Sequence, residues 1–214
     1  MWPYTRGPVT QAENMHALAW TQYDGKSIHF FETYESLEFQ SMHKAFLRFL
    51  PKEGARCLDV GAGSGRDAAA MARRGYRVTA VEPSVGLRKL AERHHGGLSI
   101  DWLDDSLPEL NVVRARRLKY AFILLSAVWM HIYPETRLKS LESLKELLEP
   151  DGYLAMTLRL GSPDTERTMF PVSSAELVRQ AAVAGLKPRY LGRPTPDSLH
   201  RSDVQWAKVV LSRA

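Results

Sequence analysis

The sequence predicts an α/β fold: a doubly wound, mostly parallel sheet of seven strands that ends in an antiparallel hairpin. Three observations indicate this fold. Short apolar runs alternate with amphipathic helical segments, a glycine-rich run directly follows the first predicted strand, and only a loop separates the last two strands. Alternating strands and helices form a parallel sheet covered on both faces, whereas two strands joined by a loop pair antiparallel.

The individual elements follow in order along the chain. An amphipathic stretch predicts one helix from Ile28 to Leu50, which Pro51 ends. The predicted strands are Arg56 to Val60, Arg77 to Val81, Leu98 to Leu103, Tyr120 to Ser126, Tyr153 to Leu158, Lys187 to Leu191 and Gln205 to Ser212. The predicted helices are Ala68 to Arg74, Ser84 to His94, Thr136 to Glu149 (ended by Pro150-Asp151-Gly152) and Ser174 to Ala184. Because no repeat or linker divides the chain, we expect a single domain of residues 1–214, with a helical lid in residues 1–50 and the core in residues 51–214.

Size and composition are typical of a globular domain that needs no disulfide bond or structural metal. The chain has 214 residues, of which 44% are hydrophobic and 25% charged, and a chain of this length hides on the order of 70% of its surface on folding. Cys57 is the only cysteine, and no Cys/His group has zinc-ligand spacing. We therefore expect no metal and a reducing, cytoplasmic location.

Two segments bear on export and membranes. Met1 to Asn14 lacks the apolar centre of a secretory signal. The longest apolar stretch, Tyr120 to Met130, is about half of the ~20 residues that a membrane-spanning helix needs. We expect neither secretion nor a membrane partner.

Charge is spread along the chain. The formal net charge is +5, and the densest basic group is Arg114, Arg116, Arg117 and Lys119. This segment predicts a solvated face, and the alternative is a contact surface for an anion or a nucleic acid.

The most informative segment is LDVGAGSG, from Leu58 to Gly65, where a strand leads into three glycines and then a helix. Without Cβ atoms, the backbone of such a loop can approach a ligand at the carboxyl end of the sheet. Gly61 and Gly63 fit the dinucleotide motif G-x-G-x-x-G, but Gly65 comes one residue early and Arg66 takes the sixth position. The pattern therefore favours a nucleotide-like ligand other than a nicotinamide dinucleotide.

Two carboxylates narrow the ligand further. Asp59 stands two residues before the first glycine, where it would repel a pyrophosphate and attract a cationic amino group. Glu82 ends the second strand, where a carboxylate can accept hydrogen bonds from both ribose hydroxyls. An adenosine joined to a cationic amino acid satisfies these features, and S-adenosylmethionine is such a molecule.

The sequence resembles the class I S-adenosylmethionine-dependent methyltransferases over about residues 40 to 212. The resemblance rests on LDVGAGSGRDAAAMARRGYRVTAVEPS, FILLSAVWMHI and LKELLEPDGYLAMTL. It implies a Rossmann-like fold, in which the glycine loop holds the methionine part of the cofactor and Glu82 the ribose. The implied cofactor site comprises Asp59, Gly61, Ala62, Gly63, Gly65, Glu82, Pro83, Asp104, Asp105, Ser106 and Ser126.

Two positions on this resemblance stay open. An acidic residue after the third strand commonly meets adenine, and both Asp104 and Asp105 are candidates; Asp105 is favoured, although either carboxylate can instead cap the following turn. Many members have Asp at the start of the fourth strand, where this chain has Ala121, so we expect polar groups from Ser126 to His131 to form that side of the pocket.

The resemblance implies methyl transfer by in-line displacement, with S-adenosylhomocysteine as the product. This reaction requires that the acceptor be oriented toward the methyl group and that water be excluded, and it needs no catalytic triad. His131, just past the fourth strand, is the candidate general base; the alternative is local packing. Trp129 is a candidate wall of the methyl-transfer site or a core residue. Tyr23 lies in Ala17 to Asp24, a segment that resembles the family's lid, and would close over the methionine end unless it is a surface tyrosine.

The acceptor is predicted less directly. Arg159 and Arg167 are candidates to receive an acidic substrate, with solvated arginines as the alternative, and His200 has no stronger claim. We expect a small-molecule acceptor rather than nucleic acid, because no added RNA-binding module is visible. The alternatives are an RNA- or protein-directed methyltransferase that docks through residues 114–119 and a non-catalytic S-adenosylmethionine-binding module.

Overall fold

The computed structural model describes residues 20–163, 167–199 and 201–214. Its strands are β1 (Arg56–Val60), β2 (Arg77–Val81), β3 (Ile100–Leu103), β4 (Tyr120–Leu125), β5 (Leu148–Leu160), β6 (Leu186–Leu191), the two-residue β7 (Thr195–Pro196) and β8 (Gln205–Arg213). The sheet order is β3-β2-β1-β4-β5-β8-β6, with β7 paired to β8. The strands from β3 to β5 are parallel, and β8 is antiparallel to both β5 and β6. The predicted fold class is confirmed.

The helices cover both faces of the sheet. They are α1 (Ser27–Glu35), α2 (Phe39–His43), α3 (Arg66–Ala72), α4 (Val85–His94), α5 (Asn111–Ala115), α6 (Arg137–Leu147) and α7 (Ser174–Val183), and residues 20–24 are also helical. Local chemistry sets several boundaries: the hydroxyls of Ser84 and Ser173 accept hydrogen bonds from the first turns of α4 and α7. No helix of the described residues is long and apolar enough to cross a membrane.

The prediction of a single helix from Ile28 to Leu50 is wrong. The segment forms α1, then α2, and then a single 3-10 turn at Leu47–Phe49. The aromatic residues whose spacing suggested one helix belong to two helices with different environments. No residue of α1 is buried, whereas α2 buries Phe39 and His43 against the core. The chain breaks between them because one straight helix cannot turn both sets of side chains to their partners.

The predicted turn after α6 is also wrong. Pro150-Asp151-Gly152 lies inside β5, which starts at Leu148 because that residue already pairs with Tyr120 of β4. Gly152 lies so close to the carbonyl oxygens of Tyr120 and Ala121 that a Cβ there would be 3.0 Å from each. Strand pairing with β4 therefore overrides the local turn signal. The sequence also did not predict α5 or β7.

Two apolar clusters fill the space on either side of the sheet. In β4, Ile123 and Leu125 belong to one cluster, and Phe122 and Leu124 belong to the other. This alternation is that of a strand buried on both faces. With both faces covered, the carboxyl ends of the parallel strands form the open side of the sheet, where ligands bind in such folds.

Candidate functional site

A cleft lies at the carboxyl ends of the parallel strands. Of the predicted cofactor residues, it is lined by Asp59, Gly61, Ala62, Gly63, Glu82, Pro83, Asp105, Ser106 and Ser126. Lid, loop and strand-end residues complete it, among them Trp20, Tyr23, Tyr34, Met130, His131, Arg159 and Arg167. The cleft thus brings together residues separated by more than a hundred positions in the chain.

The glycine loop is held against the end of β2. The amides of Gly61 and Ala62 both donate to the carbonyl of Val81 at 2.8 Å. Gly61 has a positive φ of 71°, and a Cβ there would lie 2.5 Å from the side chain of Val128. Only glycine satisfies both the backbone conformation and the close approach.

The structure gives Gly65 a packing role instead of the predicted place at the ligand. It precedes α3 with a φ of 82°, and a Cβ there would lie 2.5 Å from Trp102 and 2.9 Å from His95. Gly65 is not among the described residues that line the cleft. Its missing side chain lets the start of α3 pack against these rings.

Glu82 connects the loop to β2. Its carboxylate is 6% exposed and accepts hydrogen bonds from the amides of Gly63 at 2.7 Å and Ser84 at 2.8 Å. Burial raises the pKa of Glu82 to about 7, although both hydrogen bonds favour the ionised form. The cleft therefore contains a carboxylate that titrates near neutral pH.

Asp59 is a second buried carboxylate in the cleft. It is 1% exposed, and its Oδ2 has no hydrogen-bond partner among the described residues. Burial raises the pKa of Asp59 well above its usual range, and the charge of Asp67 adds to the effect. Such an oxygen is suited to a cationic ligand group, which would supply the missing hydrogen bond and charge.

Asp67, beside the glycine loop, has a lowered pKa, in contrast to Asp59. It accepts a hydrogen bond from Nε2 of His43 at 2.9 Å and two from Arg66 at 2.7 and 2.8 Å. Burial opposes its ionisation, but the charges and hydrogen bonds of His43 and Arg66 outweigh burial and lower the pKa of Asp67 below its usual range. These contacts connect α2 to the start of α3.

The two carboxylates after β3 have different surroundings. Asp105 lines the cleft, and its two oxygens accept hydrogen bonds from the amides of Ser106 and Val113, each at 2.9 Å. Asp105 therefore caps the α5 region and also lines the cleft. Asp104 is half-exposed, pairs with Arg88 at 3.1 Å and is not among the described lining residues.

Tyr23 and His131 meet in the cleft, although 108 positions separate them. The Tyr23 hydroxyl lies 2.9 Å from Nε2 of His131, and Nδ1 of His131 lies 2.7 Å from the carbonyl oxygen of Thr168. Since a carbonyl only accepts, Nδ1 carries the proton, and in the neutral ring Nε2 accepts from the Tyr23 hydroxyl. Burial raises the pKa of Tyr23, and the charge of Arg167 opposes the rise.

Trp129 belongs to the core and does not wall the cleft. It is 1% exposed, packs within the larger apolar cluster and lies under the guanidinium of Arg137. Trp129 is therefore a core residue, which is one of the two interpretations that the sequence left open. It is not among the described lining residues.

The segment before α1 contacts the rim of the cleft at three points. Gln22 accepts a hydrogen bond from the amide of Thr168 at 2.8 Å, and Tyr23 binds His131. Asp24 accepts from the Ser84 hydroxyl at 2.6 Å and the Gly86 amide at 2.9 Å. Sequence analysis missed Gln22 and Asp24, since an Asp or Gln in a polar segment has no distinguishing local pattern. Residues 17–19 of the predicted lid segment, and His200, lie outside the described residues.

A family model described as "Methyltransferase domain" matches residues 28–190. The chain belongs to this methyltransferase family. The match spans most of the chain and confirms the family that the glycine loop and the following strands predicted.

Curated relatives match parts of this chain. A ubiquinone biosynthesis O-methyltransferase of Actinobacillus pleuropneumoniae is 33% identical over 105 residues, which are 47% of this chain and 44% of the relative. The protein of the same name in Methylocella silvestris is 48% identical over 54 residues, which are 24% of this chain and 21% of the relative. The matched part spans less than half of either relative's length.

Solved structures share the fold. The 1,6-didemethyltoxoflavin-N1-methyltransferase of Burkholderia thailandensis, solved with 1,6-didemethyltoxoflavin and S-adenosylhomocysteine, has a TM-score of 0.65 and 18% identity over 98% of this chain and 93% of its own. A TehB-like methyltransferase of Corynebacterium glutamicum has a TM-score of 0.64 and 15% identity over 89% of this chain and 99% of its own.

Both arginines that the sequence proposed for an acidic substrate line the cleft of the methyltransferase domain. Arg159 is 7% exposed and donates to the carbonyl of Ser162 at 2.6 Å. Arg167 lies over the ring of Phe30, 5.6 Å from its centroid, and is 3.4 Å from the Tyr23 hydroxyl. The solvated alternative is therefore wrong for Arg159, which ends β5 in the interior of the cleft.

Further lining residues of the methyltransferase domain were not predicted. The guanidinium of Arg201 forms two hydrogen bonds with the carboxylate of Asp197, which also accepts from Trp206 Nε1 at 2.7 Å. Tyr34 lies beside the glycine loop, 3.5 Å from where a Cβ of Gly63 would be. All four residues line the cleft. An arginine four residues after an aspartate is too common in loops to mark a site.

A small titratable cluster connects α1 to α4. The Glu35 carboxylate lies 3.5 Å from His95 Nε2 and 3.7 Å from His94 Nε2, and it accepts from the Ser64 hydroxyl at 2.8 Å. Burial opposes ionisation of Glu35, but the hydrogen bonds and charges around it, chiefly those of His95 and Ser64, lower its pKa. His95 Nε2 is also 3.1 Å from the Ser64 carbonyl oxygen, so the ring is held by the glycine loop.

Proposed function

We propose that this methyltransferase domain binds S-adenosylmethionine and transfers its methyl group to a small-molecule acceptor. The observation that carries the proposal is the cleft in which a glycine loop, the unbonded oxygen of Asp59 and the buried carboxylate of Glu82 converge. The named activity of the curated relatives and the S-adenosylhomocysteine in the Burkholderia structure support it.

The residues fit the parts of this cofactor. Asp59 would receive the amino group, because a buried carboxylate without a partner gains most from a cation. Glu82 would accept from the ribose hydroxyls, and Asp105 with Ser106 would lie at the adenine end. When bound, the sulfonium supplies an electrophilic methyl group, so the protein's task is to orient the acceptor and exclude water.

Tyr23 and His131 would handle the acceptor's proton. Both line the cleft and share a hydrogen bond, so a proton can pass to Nε2 of His131 directly or through the Tyr23 hydroxyl. The Thr168 carbonyl keeps the opposite nitrogen protonated, which leaves Nε2 as the basic atom. A base in this position contributes roughly 10²- to 10⁴-fold to the rate when the acceptor must lose a proton.

The N-terminal region would act as the lid. Within this region, Gln22 contacts the Thr168 amide, Tyr23 contacts His131 and Asp24 contacts Ser84 at the start of α4. Such a segment excludes water from the methyl group during transfer.

Nothing favours docking of RNA or protein through residues 114–119. Arg114 pairs with Glu146, and Arg116 pairs with Asp101, so two of the four basic side chains have acidic partners within the chain. This arrangement supports the solvated face. A cytoplasmic location remains a prediction from the single cysteine.

Calorimetric titration with S-adenosylmethionine and S-adenosylhomocysteine tests the cofactor. We expect micromolar binding of both to the wild type and at least a tenfold loss in Glu82→Ala, since hydrogen bonds to a charged group contribute about 1.5 to 3 kcal/mol. Glu142→Ala is the matched control, because Glu142 is exposed on α6. Consumption of the cofactor with members of an acceptor library then separates an enzyme from a binding module.

The proposal is refuted if the wild type binds neither compound at millimolar concentration. Equal losses of affinity in Glu82→Ala and Glu142→Ala would support cofactor binding but would show that Glu82 does not contact the cofactor.

A further inference from the structure

The charged side chains that line the cleft are mainly acidic on one side and mainly basic on the other. On the acidic side, Asp59 lies near the end of β1, Glu82 and Asp105 follow β2 and β3, and Asp67 lies in α3 with its partner Arg66. On the basic side, Arg159 lies near the end of β5, Arg167 follows β5, and Arg201 precedes β8 with its partner Asp197. In the sheet, β4 lies between these two groups of strands. The acidic half suits a cofactor that carries a cationic amino group. The arginine half therefore faces the part of the cleft left for the acceptor.

The arginines reach this half from three directions and are held there. Arg159 is buried at the end of β5 and is oriented by the Ser162 carbonyl. Arg167 packs its guanidinium on Phe30. Arg201 is fixed by Asp197, whose hydrogen bonds raise the pKa of Arg201; burial and the nearby charge of Arg167 act against that rise.

Arg167 lies near enough to Arg201 for their charges to repel each other, although Asp197 already pairs with Arg201. An anion beside Arg167 reduces this repulsion. A guanidinium carries five N–H donors in a planar fork that matches carboxylate and phosphate oxygens, so an oxyanion can join the partners that each arginine already has.

The remaining surface on this side is largely aromatic or apolar. Of the other residues that line the cleft, Trp20, Tyr23, Met130, Leu199 and Trp206 are aromatic or apolar and lie outside the glycine loop. Flat apolar walls of this kind accommodate an aromatic ring, with a small number of polar groups to orient it.

We propose that the methyl acceptor is an aromatic molecule with an anionic oxyacid group, and that Arg159 and Arg167 bind that group. The inference rests on the proposed function, because it assigns this side of the cleft to the acceptor. The arginine contacts place the anion beside the Tyr23 hydroxyl, which Arg167 approaches to 3.4 Å. The anion thereby orients the ring relative to Tyr23 and His131.

The test uses three probes of similar shape on the protein saturated with S-adenosylhomocysteine: benzoate, phenyl phosphate and the neutral benzamide. We expect at least one anion to bind about tenfold more tightly than benzamide, as charge-assisted pairing with a guanidinium implies. Which of the two anions binds more tightly distinguishes a carboxylate acceptor from a phosphorylated one.

Two variants assign the effect to Arg167. Arg167→Gln should lose about tenfold in affinity for the preferred anion and leave benzamide unchanged, and Arg167→Lys should fall between, because lysine keeps the charge without the fork. Arg189→Gln, at an exposed arginine of β6, is the control. Binding of S-adenosylhomocysteine should be the same in all of them.

Equal binding of the anions and benzamide, or equal effects of Arg167→Gln on all three probes, overturns the inference while normal S-adenosylhomocysteine binding leaves the proposed function intact. Failure of the wild type to bind S-adenosylhomocysteine rejects both.

Discussion

Glu82 illustrates how the environment of one side chain sets its chemistry. An exposed glutamate in this position would be ionised at all physiological pH values. Here the carboxyl group is buried, and burial raises its pKa from 4.5 to about 7. The two backbone amides that it binds favour the carboxylate but do not offset the loss of water. A ligand that adds hydroxyl donors would favour the carboxylate further.

This shift makes the stability of the ligand-free protein depend on pH. A carboxyl group with a raised pKa in the folded state stabilises that state fully below its unfolded pKa, and the contribution is lost as pH rises through about 7. For Glu82 alone the loss is about 3 kcal/mol at most. Urea unfolding from pH 5 to pH 8 should show this decline in the wild type, and a smaller decline in Glu82→Gln. Parallel curves for the two proteins would contradict the assignment.

At the scale of elements, Asp24 connects the segment of residues 20–24 to the start of α4. Asp24 accepts from the Ser84 hydroxyl and the Gly86 amide at the start of that helix. Ser84 also caps α4 by accepting from the Leu87 amide at 3.2 Å. The same turn carries Glu82. The lid and the proposed ribose site therefore share one hydrogen-bonded turn.

Removal of that contact should loosen the lid without unfolding the core. In Asp24→Ala, we expect amide hydrogen exchange in residues 20–24 to accelerate about threefold to tenfold, because local opening no longer breaks two hydrogen bonds to a carboxylate. Exchange in β1 and β4 should not change. Glu32→Ala, at an exposed position of α1, is the control. Unchanged exchange in the lid would show that other contacts hold it.

For the whole molecule, the order of the strands creates the cleft. From β1 the chain proceeds outward to β2 and β3, and then crosses to β4 on the opposite side of β1. The helices that follow β1 and β4 leave on opposite faces, so a crevice opens where the order reverses. The glycine loop follows β1, and Ser126 follows β4, at this crevice.

A ligand that bridges the crevice should stabilise the entire domain. At a concentration one hundred times its dissociation constant, S-adenosylhomocysteine should add about 2.7 kcal/mol to the free energy of unfolding. For a domain of this size that raises the melting temperature by roughly 5 to 10 °C. Thermal unfolding monitored by circular dichroism, with and without the compound, measures the shift. An unchanged melting temperature at saturating concentration would be incompatible with the proposed site.

The sequence alone predicted seven of the eight strands and the glycine loop. The bounds of β1 and β2 match their predictions to the residue, and Asp59, Gly61, Gly63 and Glu82 reach one cleft as predicted. These features depend on neighbouring residues, because strand burial and tight turns leave periodic or compositional marks within a few positions.

The tertiary structure decided the composition of the proposed acceptor side. It brought Tyr23 to His131 and Arg201 to Asp197, and it placed Arg167 near Tyr23 and Arg201. It also buried Trp129 in the core. It also divided the predicted N-terminal helix into α1 and α2. Contacts between distant segments depend on how helices and loops pack across the sheet, and packing leaves no periodic pattern in the sequence. For that reason the residues of the proposed cofactor side were predictable from local motifs, and most residues of the proposed acceptor side were not.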